Sequence, residues 1–241
     1  MRSLLVFVLA LLLGIATPVC AEDEDAPHVD YPELVKKGAD AATFVPQGWL
    51  LEKEITGDLN KDGADDLVLV LRDNDPANLI ERETGMDEPL DTNPRMLAVA
   101  LADGEGSYQL ALANSNLIPR VIYSNQSDPL SESGGVSINR GILLISIYYF
   151  YTSGGSDTGN MSFRFRFEDK DFRLIGYDRM NVNRMSGAVE TVSANFLNRK
   201  VIIKTGTIES DAEKTETRKL KSGEAVLIQD IEDPWAFSPA Y

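Results

Sequence analysis

The stretch that decides the fold is Asp58-Leu59-Asn60-Lys61-Asp62-Gly63-Ala64-Asp65-Asp66, followed directly by Leu67-Val68-Leu69-Val70-Leu71. In the first segment, oxygen-bearing side chains stand at the first, third, fifth and ninth positions, and glycine stands at the sixth. The second segment is a continuous apolar run, which is typical of a buried β-strand. The sequence therefore predicts a tight acidic loop that leads into a strand.

The spacing of oxygen donors in this loop suits a hard cation. Ca²⁺ takes roughly 6–8 oxygen ligands at about 2.3–2.6 Å, and a tight loop provides them by turning alternate side chains inward. Gly63 permits a positive φ, which lets the next carbonyl group point at the ion. The predicted ligands of one Ca²⁺ are the side chains of Asp58, Asn60, Asp62 and Asp66 and the carbonyl oxygen of Ala64. The alternative interpretation is a solvated acidic turn between two strands.

The loop differs from an EF-hand in two ways. The twelfth position is Leu69, where an EF-hand has a bidentate Glu, and a strand rather than a helix follows. A DxNxDGxxD loop before a strand instead resembles the FG-GAP or VCBS-type calcium loop, found singly in β domains and repeatedly in integrin-like propellers. The resemblance covers about residues 48–115, because 99–108 resembles the second hairpin of that module. It implies a β fold and one ion, but no pathway or partner.

The first 21 residues have the pattern of a signal peptide. Arg2 is basic, residues 4–15 are almost wholly apolar, and Val19-Cys20-Ala21 fits a cleavage site of small residues. The apolar run is too short to cross a bilayer of about 30 Å as a helix. We expect cleavage near Ala21 and a periplasmic or secreted protein. A lipoprotein attached through Cys20, which Val19 fits poorly, and an uncleaved anchor are the less favoured alternatives.

Composition indicates one acidic domain after the signal peptide. Residues 22–30 begin with a block of four acidic residues and are predicted to be a disordered lead, and 31–241 are predicted to be a single β-rich domain. The net charge of −15 argues against nucleic acid, because a phosphate backbone binds Lys and Arg. The same charge favours a basic protein partner or a divalent cation. No stretch after residue 21 is apolar and long enough to predict a membrane span.

The remainder of the chain alternates short β-type runs with turn signals. We expect about eleven strands, near residues 44–55, 66–72, 95–102, 107–113, 136–138, 142–151, 163–167, 172–177, 188–197, 200–208 and 225–229. A propeller needs at least about four blades of four strands, so the predicted fold is all-β, an antiparallel sandwich or open meander and not a full propeller. A short helix over 31–38 and loops over 73–94, 152–160 and 209–222 complete the prediction.

Aromatic residues lead to three expectations about packing. Phe163, Phe165 and Phe167 alternate with Arg164 and Arg166, so the phenylalanines should share one face of a strand. Residues 148–151 are expected to pack into the core on both faces of their strand. The alternative is that one pair among them faces outward and forms, with the two arginines, a patch for a protein or a glycan. Trp49, Leu50 and Leu51 are expected in the core, and the aromatic residues at 235 and 237 are expected to pack onto the body.

The residue inventory argues against common catalytic mechanisms. His28 is the only histidine and no cysteine follows the cleavage site, so Ser-His-Asp, Cys-His and zinc chemistry lack their residues. A carboxylate pair for glycan hydrolysis stays open. The favoured function is therefore that of an exported calcium-binding β domain that acts as a binding or interaction module. The alternatives are an envelope inhibitor or immunity-type protein that captures an exported enzyme, and a carboxylate-based glycan hydrolase.

Overall fold

A computed structural model describes residues 26–81, 88–132, 134–221, 223 and 225–241. The predicted signal peptide, Cys20 and residues 22–25 of the acidic lead lie outside the described residues. Within them are fourteen strands: β1 (Lys37–Gly38), β2 (Trp49–Gly57), β3 (Asp66–Asp73), β4 (Leu79–Ile80), β5 (Leu90–Asp91), β6 (Arg95–Ala102), β7 (Tyr108–Asn114), β8 (Gly135–Asn139), β9 (Ile142–Tyr149), β10 (Asp157–Glu168), β11 (Asp171–Asn183), β12 (Ala188–Asn195), β13 (Lys200–Thr207) and β14 (Ser210–Lys219). Three short 3₁₀ helices span Ala41–Phe44, Pro76–Asn78 and Ile228–Asp230.

The strands form three antiparallel sheets. The first has five strands in the order β1-β7-β6-β3-β2, the second has seven in the order β14-β13-β12-β11-β10-β9-β8, and β4 and β5 form a small third sheet. In the seven-stranded sheet every strand pairs with its neighbour in sequence, which is a meander. The predicted all-β class is confirmed, and the described part of the chain contains no closed barrel or propeller.

The five-stranded sheet is buried on both faces. In β3, Val68 and Val70 belong to a core shared with the seven-stranded sheet, whereas Leu67, Leu69 and Leu71 pack on the opposite side. That opposite side is covered by Leu34, Ala41 and Phe44 of the segment before β2, together with Trp49 at the start of β2. A strand covered on both faces needs apolar side chains at every position, which explains the continuous run that the sequence shows.

The shared core confirms two of the aromatic expectations. Phe163 and Phe165 are fully buried, while Arg164 on the other face forms an ion pair with Asp178. The C-terminal tail also packs against this core. The ring of Phe237 lies 5.5 Å from that of Phe163, and the ring of Trp235 lies 5.8 Å from that of Tyr149.

Six local predictions are wrong. Two predicted loops contain strand residues, because β4 and β5 lie within 73–94 and β10 begins at Asp157, within 152–160. Residues 31–38 contain no helix: Lys37–Gly38 pairs with β7, and Leu34 is buried beneath the sheet. The charged segment 209–222 contains β14, whose ten residues are all exposed. Charged side chains protect such an edge strand from further pairing. Because these charged residues do not alternate with apolar ones, the sequence did not predict a strand here. The strand expected at 225–229 is a single bridge at Leu227 followed by a 3₁₀ helix. Leu50 is 51% exposed, because alternation along β2 places Trp49 on the buried side.

A buried arginine joins separate parts of the fold. Arg95 in β6 donates to both carboxylate oxygens of Glu52 in β2, at 2.6 and 2.8 Å, and to both oxygens of Asp128, at 3.0 and 2.7 Å. Asp128 belongs to the long connection between β7 and β8. The Arg95 side chain is only 6% exposed, while those of Glu52 and Asp128 are 29% and 41% exposed, so each pair joins a buried guanidinium group to a carboxylate that keeps part of its contact with water. Arg95 therefore fastens the five-stranded sheet to the connection that leads to the other sheet.

This network predicts an acid-sensitive contribution to stability. Burial raises the pKa of Asp128, but the hydrogen bonds from Arg95 and from the Leu130 amide outweigh it and leave the pKa below its ordinary value. A carboxyl group with a lowered folded-state pKa contributes stability above its unfolded pKa of about 3.9 and loses it as the pH falls through the folded value. We expect Asp128→Asn to make the free energy of unfolding less dependent on pH below about pH 4. Urea unfolding at a series of pH values checks this, and parallel curves for the two proteins contradict it.

Candidate metal site

The predicted calcium loop connects β2 to β3 at the place where the two large sheets meet. Gly57 and Asp66 are the last paired residues of the hairpin. A methyl group in place of a Gly57 hydrogen would lie 3.0 Å from the Ile138 side chain in β8, and one on Gly141, in the turn before β9, would lie 3.2 Å from the Asp58 carbonyl oxygen. The backbone of the loop therefore packs directly against the first hairpin of the seven-stranded sheet.

The first side chain of the loop holds the turn together. Asp58 accepts hydrogen bonds from the backbone N–H groups of Lys61 at 2.6 Å and Gly63 at 3.1 Å. Gly63 has a φ of +90°, so the predicted left-handed conformation of this glycine is confirmed. Lys61 also adopts a positive φ, of +67°. The two left-handed residues curl the chain around the Asp58 carboxylate.

The next two predicted ligands also turn toward the backbone of the loop. Asn60 Oδ1 accepts from the Asp62 amide at 2.9 Å, and Asp62 Oδ1 accepts from the Ala64 amide at 2.8 Å. Asn60 Nδ2 donates to the other oxygen of Asp62 at 2.8 Å. The Ala64 amide and the Asn60 side chain hold the pKa of Asp62 below its ordinary value. Asp62 is therefore ionised at neutral pH, as a metal ligand must be.

Asp66, the ninth residue of the loop, is completely buried. Its two oxygens accept from the backbone N–H groups of Leu59 at 2.8 Å and Ala102 at 2.9 Å. Burial raises the pKa of this carboxyl group, while the backbone donors oppose the shift. Within the described residues no Lys, Arg or His pairs with it. A buried carboxylate without a cation is costly, so a positive charge near Asp66 would stabilise the fold.

Sequence reasoning overlooked the residue that anchors the loop. Leu59 is 1% exposed and belongs to the core shared by the two sheets. The signal was a large apolar side chain at the second position of an otherwise polar segment. Its backbone N–H is also the one that Asp66 binds. Leu59 therefore couples the position of the predicted ligands to the packing of the core.

The donor chemistry of the loop fits a hard cation, because every predicted ligand atom is an oxygen and carboxylates supply most of the charge. A carboxylate oxygen that accepts one N–H bond keeps a further lone pair for an ion. However, among the described residues no three His, Cys, Asp or Glu side chains are gathered as a metal-binding group. The carboxylates of Asp58, Asp62 and Asp66 are therefore not gathered in this way, and the ligand set stays a prediction.

Acidic residues in other turns and connections of the five-stranded sheet have structural partners. Asp103, in the turn after β6, forms an ion pair with Lys37 at 2.8 Å and accepts from Ser107, and these contacts hold its pKa below the ordinary value. In the 73–94 connection, Asp91 pairs with Arg72 at 2.7 Å. Asp87, in the same connection, lies outside the described residues. These contacts account for Asp91 and Asp103 without an ion.

The aromatic run at residues 148–151 is divided between the two faces of the sheet. Tyr148 and Phe150 are half-buried and stack with ring centroids 6.4 Å apart and an interplanar angle of 5°. Tyr149 points to the core side, where it meets Trp235. The outward pair of the alternative is therefore Tyr148 and Phe150.

Comparison of the chain with protein-family models, curated proteins and solved structures finds no match. The resemblance to the FG-GAP or VCBS-type loop thus stays a prediction from the motif. A search of the described residues for membrane-spanning segments finds no helix with the required length and apolar character.

Proposed function

We propose that the protein is an exported β-sandwich binding module whose loop 58–66 binds one Ca²⁺, and that the ion stabilises the junction between the two large sheets. The proposed ligands are the side chains of Asp58, Asn60, Asp62 and Asp66 and the Ala64 carbonyl oxygen. The observation that carries the proposal is the buried Asp66 carboxylate, which has three acidic neighbours in the same nine-residue loop and no cationic partner among the described residues.

The position of the loop explains why an ion there would affect the whole domain. Asp66 binds the amide of Ala102 at the end of β6, and the backbone at Asp58 contacts the turn at Gly141. An ion that orders this loop therefore orders contacts with both sheets. An ion bound only by the folded protein adds about 2.7 kcal/mol of stability at a hundredfold excess over its dissociation constant.

Removal of calcium is expected to lower the melting temperature at low salt, because the acidic side chains of the loop then repel one another. Asp62→Ala is expected to abolish the difference between melting curves recorded in CaCl₂ and in EGTA. Differential scanning calorimetry measures the melting temperature, and isothermal titration of the metal-free protein with CaCl₂ measures the affinity.

Asp65→Ala is the matched control, because Asp65 is an exposed acid of the same loop at a position that the ligand spacing does not use. This variant should keep the response to EGTA and one calcium-binding event. A wild-type melting curve that is the same in EGTA and in CaCl₂ contradicts the proposal. An equal loss of response in the Asp62 and Asp65 variants contradicts the assignment of the ligands.

A further inference from the structure

A second feature, a small pocket, is formed by residues far along the chain from loop 58–66. A pocket of about 310 Å³ opens between the C-terminal tail and one end of the seven-stranded sheet, and its walls include Tyr149, Tyr151, Asp157, Arg179, Asn181 and Trp235. Its size is at the lower end of the range for small-molecule sites, about 300–1,000 Å³. Three aromatic rings and three polar side chains thus face one small space.

The polar side chains of this pocket are held in position by partners. The Tyr149 hydroxyl donates to Asn181 Oδ1 at 2.6 Å, and Arg179 donates to Glu190 at 2.6 Å. Asp157 Oδ1 accepts from Asn183 Nδ2 at 2.9 Å. A ligand therefore meets groups that are already oriented, and binding loses less conformational entropy.

The aromatic walls are fixed in a similar way. The ring of Trp235 meets that of Tyr149 edge-on, at 5.8 Å and 77°, and the Trp235 amide donates to Asp233 at 2.8 Å. Arg184 donates to the carbonyl oxygen of Tyr151 at 2.6 Å, and its guanidinium group lies 4.6 Å from the Phe150 ring centroid. The loop that carries Tyr151 is therefore attached to the end of β11.

Hydrogen-bonding capacity remains in the pocket after these contacts. A guanidinium group carries five N–H donors, and Arg179 uses one of them, at Nη2, for Glu190. The carboxylate of Asp157 accepts several hydrogen bonds when ionised. Burial raises the pKa of the Tyr149 hydroxyl to about 12, so this group keeps its proton at neutral pH. Donors and acceptors thus stand beside apolar ring faces.

The charges of the pocket exclude most classes of small ligand. An aromatic cage with a carboxylate suits a quaternary ammonium group, but the Arg179 guanidinium repels a cation. Asp157 and Glu190 repel an anion in turn. A neutral ligand with many hydroxyl groups and an apolar face satisfies both the rings and the charged hydrogen-bonding groups.

We propose that this pocket is a carbohydrate-binding subsite that takes one or two neutral sugar rings of an oligosaccharide. Trp235 and Tyr151 contact the apolar faces of the sugar, and Asp157 and Arg179 bind its hydroxyl groups. The proposal names a ligand class for the binding module proposed above and in that sense rests on it, but it does not need the calcium ion.

Isothermal titration with cellotriose, maltotriose and triacetylchitotriose tests the subsite, with tetramethylammonium chloride and sodium sulfate as cationic and anionic probes. We expect saturable binding of at least one trisaccharide. Asp157→Asn should weaken that binding by at least about tenfold, equivalent to about 1.4 kcal/mol. The variant keeps the oxygen that Asn183 binds and lies at an exposed position, so it should fold normally. Trp235→Ala should abolish binding, and Trp235→Phe should restore part of it.

Asp211→Asn on the exposed strand β14 is the matched control and should bind like the wild type. Failure of all three trisaccharides to bind, binding of only the ionic probes, or unchanged sugar binding in both Asp157→Asn and Trp235→Ala overturns the proposal. Titrations in CaCl₂ and in EGTA, well below the melting temperature, separate the two proposals. If a sugar binds but EGTA does not change the melting temperature, the subsite is supported and the calcium site is contradicted. If EGTA lowers the melting temperature but no sugar binds, the calcium site is supported and the subsite is contradicted.

Discussion

Arg95→Ala is expected to lower the free energy of unfolding by about 2–4 kcal/mol. The variant removes four charge-assisted hydrogen bonds to Glu52 and Asp128 and the packing of a side chain that is 6% exposed. Breaking a buried ion pair typically costs about 3–5 kcal/mol. We expect a loss that extends below this range, because Glu52 and Asp128 are 29% and 41% exposed and regain water when the arginine is lost. Urea unfolding followed by tryptophan fluorescence measures the change.

Two further variants show whether burial is the cause. Lys204→Ala removes one side of an exposed ion pair with Glu213 and should cost less than about 1 kcal/mol. Arg95→Lys keeps the charge but loses the planar fork that binds two carboxylates, so it should recover only part of the lost stability. Similar losses in Arg95→Ala and Lys204→Ala would show that the network contributes no more than a surface pair.

Leu59→Ala is expected to destabilise the protein by about 2–5 kcal/mol, the usual range for a large-to-small change in a core. Leu59 is 1% exposed, and the variant leaves every predicted metal ligand in the sequence. Because Leu59 holds the loop against the core, the same change should also weaken the proposed binding of calcium. Chemical unfolding in EGTA measures the first effect without any contribution from the ion, and titration with CaCl₂ measures the second.

Leu50→Ala is the matched control for this experiment, since Leu50 is a leucine of the neighbouring strand that is 51% exposed. Leu50→Ala should change the free energy of unfolding by no more than about 0.5 kcal/mol, as is usual for a surface substitution. A small loss for Leu59→Ala, comparable to that of the control, would mean that the loop is not anchored through this side chain.

Local patterns in the sequence predicted most of the strands because alternation and turn residues act over a few neighbours. The Phe163–Phe167 alternation and the hairpin between the strands expected at 95–102 and 107–113 are of this kind. Strand β14 could not be predicted in this way, since it buries no face and exists only through its pairing with β13. The predicted helix over 31–38 was wrong for a related reason, because the structure of this segment depends on β7, about seventy positions further along the chain.

The acidic loop likewise combines features that the sequence predicted with contacts that it did not predict. The spacing of its oxygen atoms and its glycine predicted the tight turn, and Gly63 does adopt a positive φ. No local pattern indicated that Asp66 would bind the amide of Ala102 or that Arg95 would join Glu52 to Asp128. These contacts link residues more than thirty positions apart and depend on the order of the strands.

By itself, the sequence determined that the chain is all-β, that a tight acidic turn precedes a fully buried strand, and that aromatic residues alternate into a core. Only the tertiary structure decided that Asp66 is buried, that Glu52 and Asp128 pair with the buried Arg95, and that Trp235 of the tail meets Tyr149 of β9 beside a pocket. The physical reason is the distance along the chain between the residues that determine each property. Backbone conformation and side-chain alternation follow from adjacent residues, whereas burial and charge pairing follow from how the two sheets and the tail pack together.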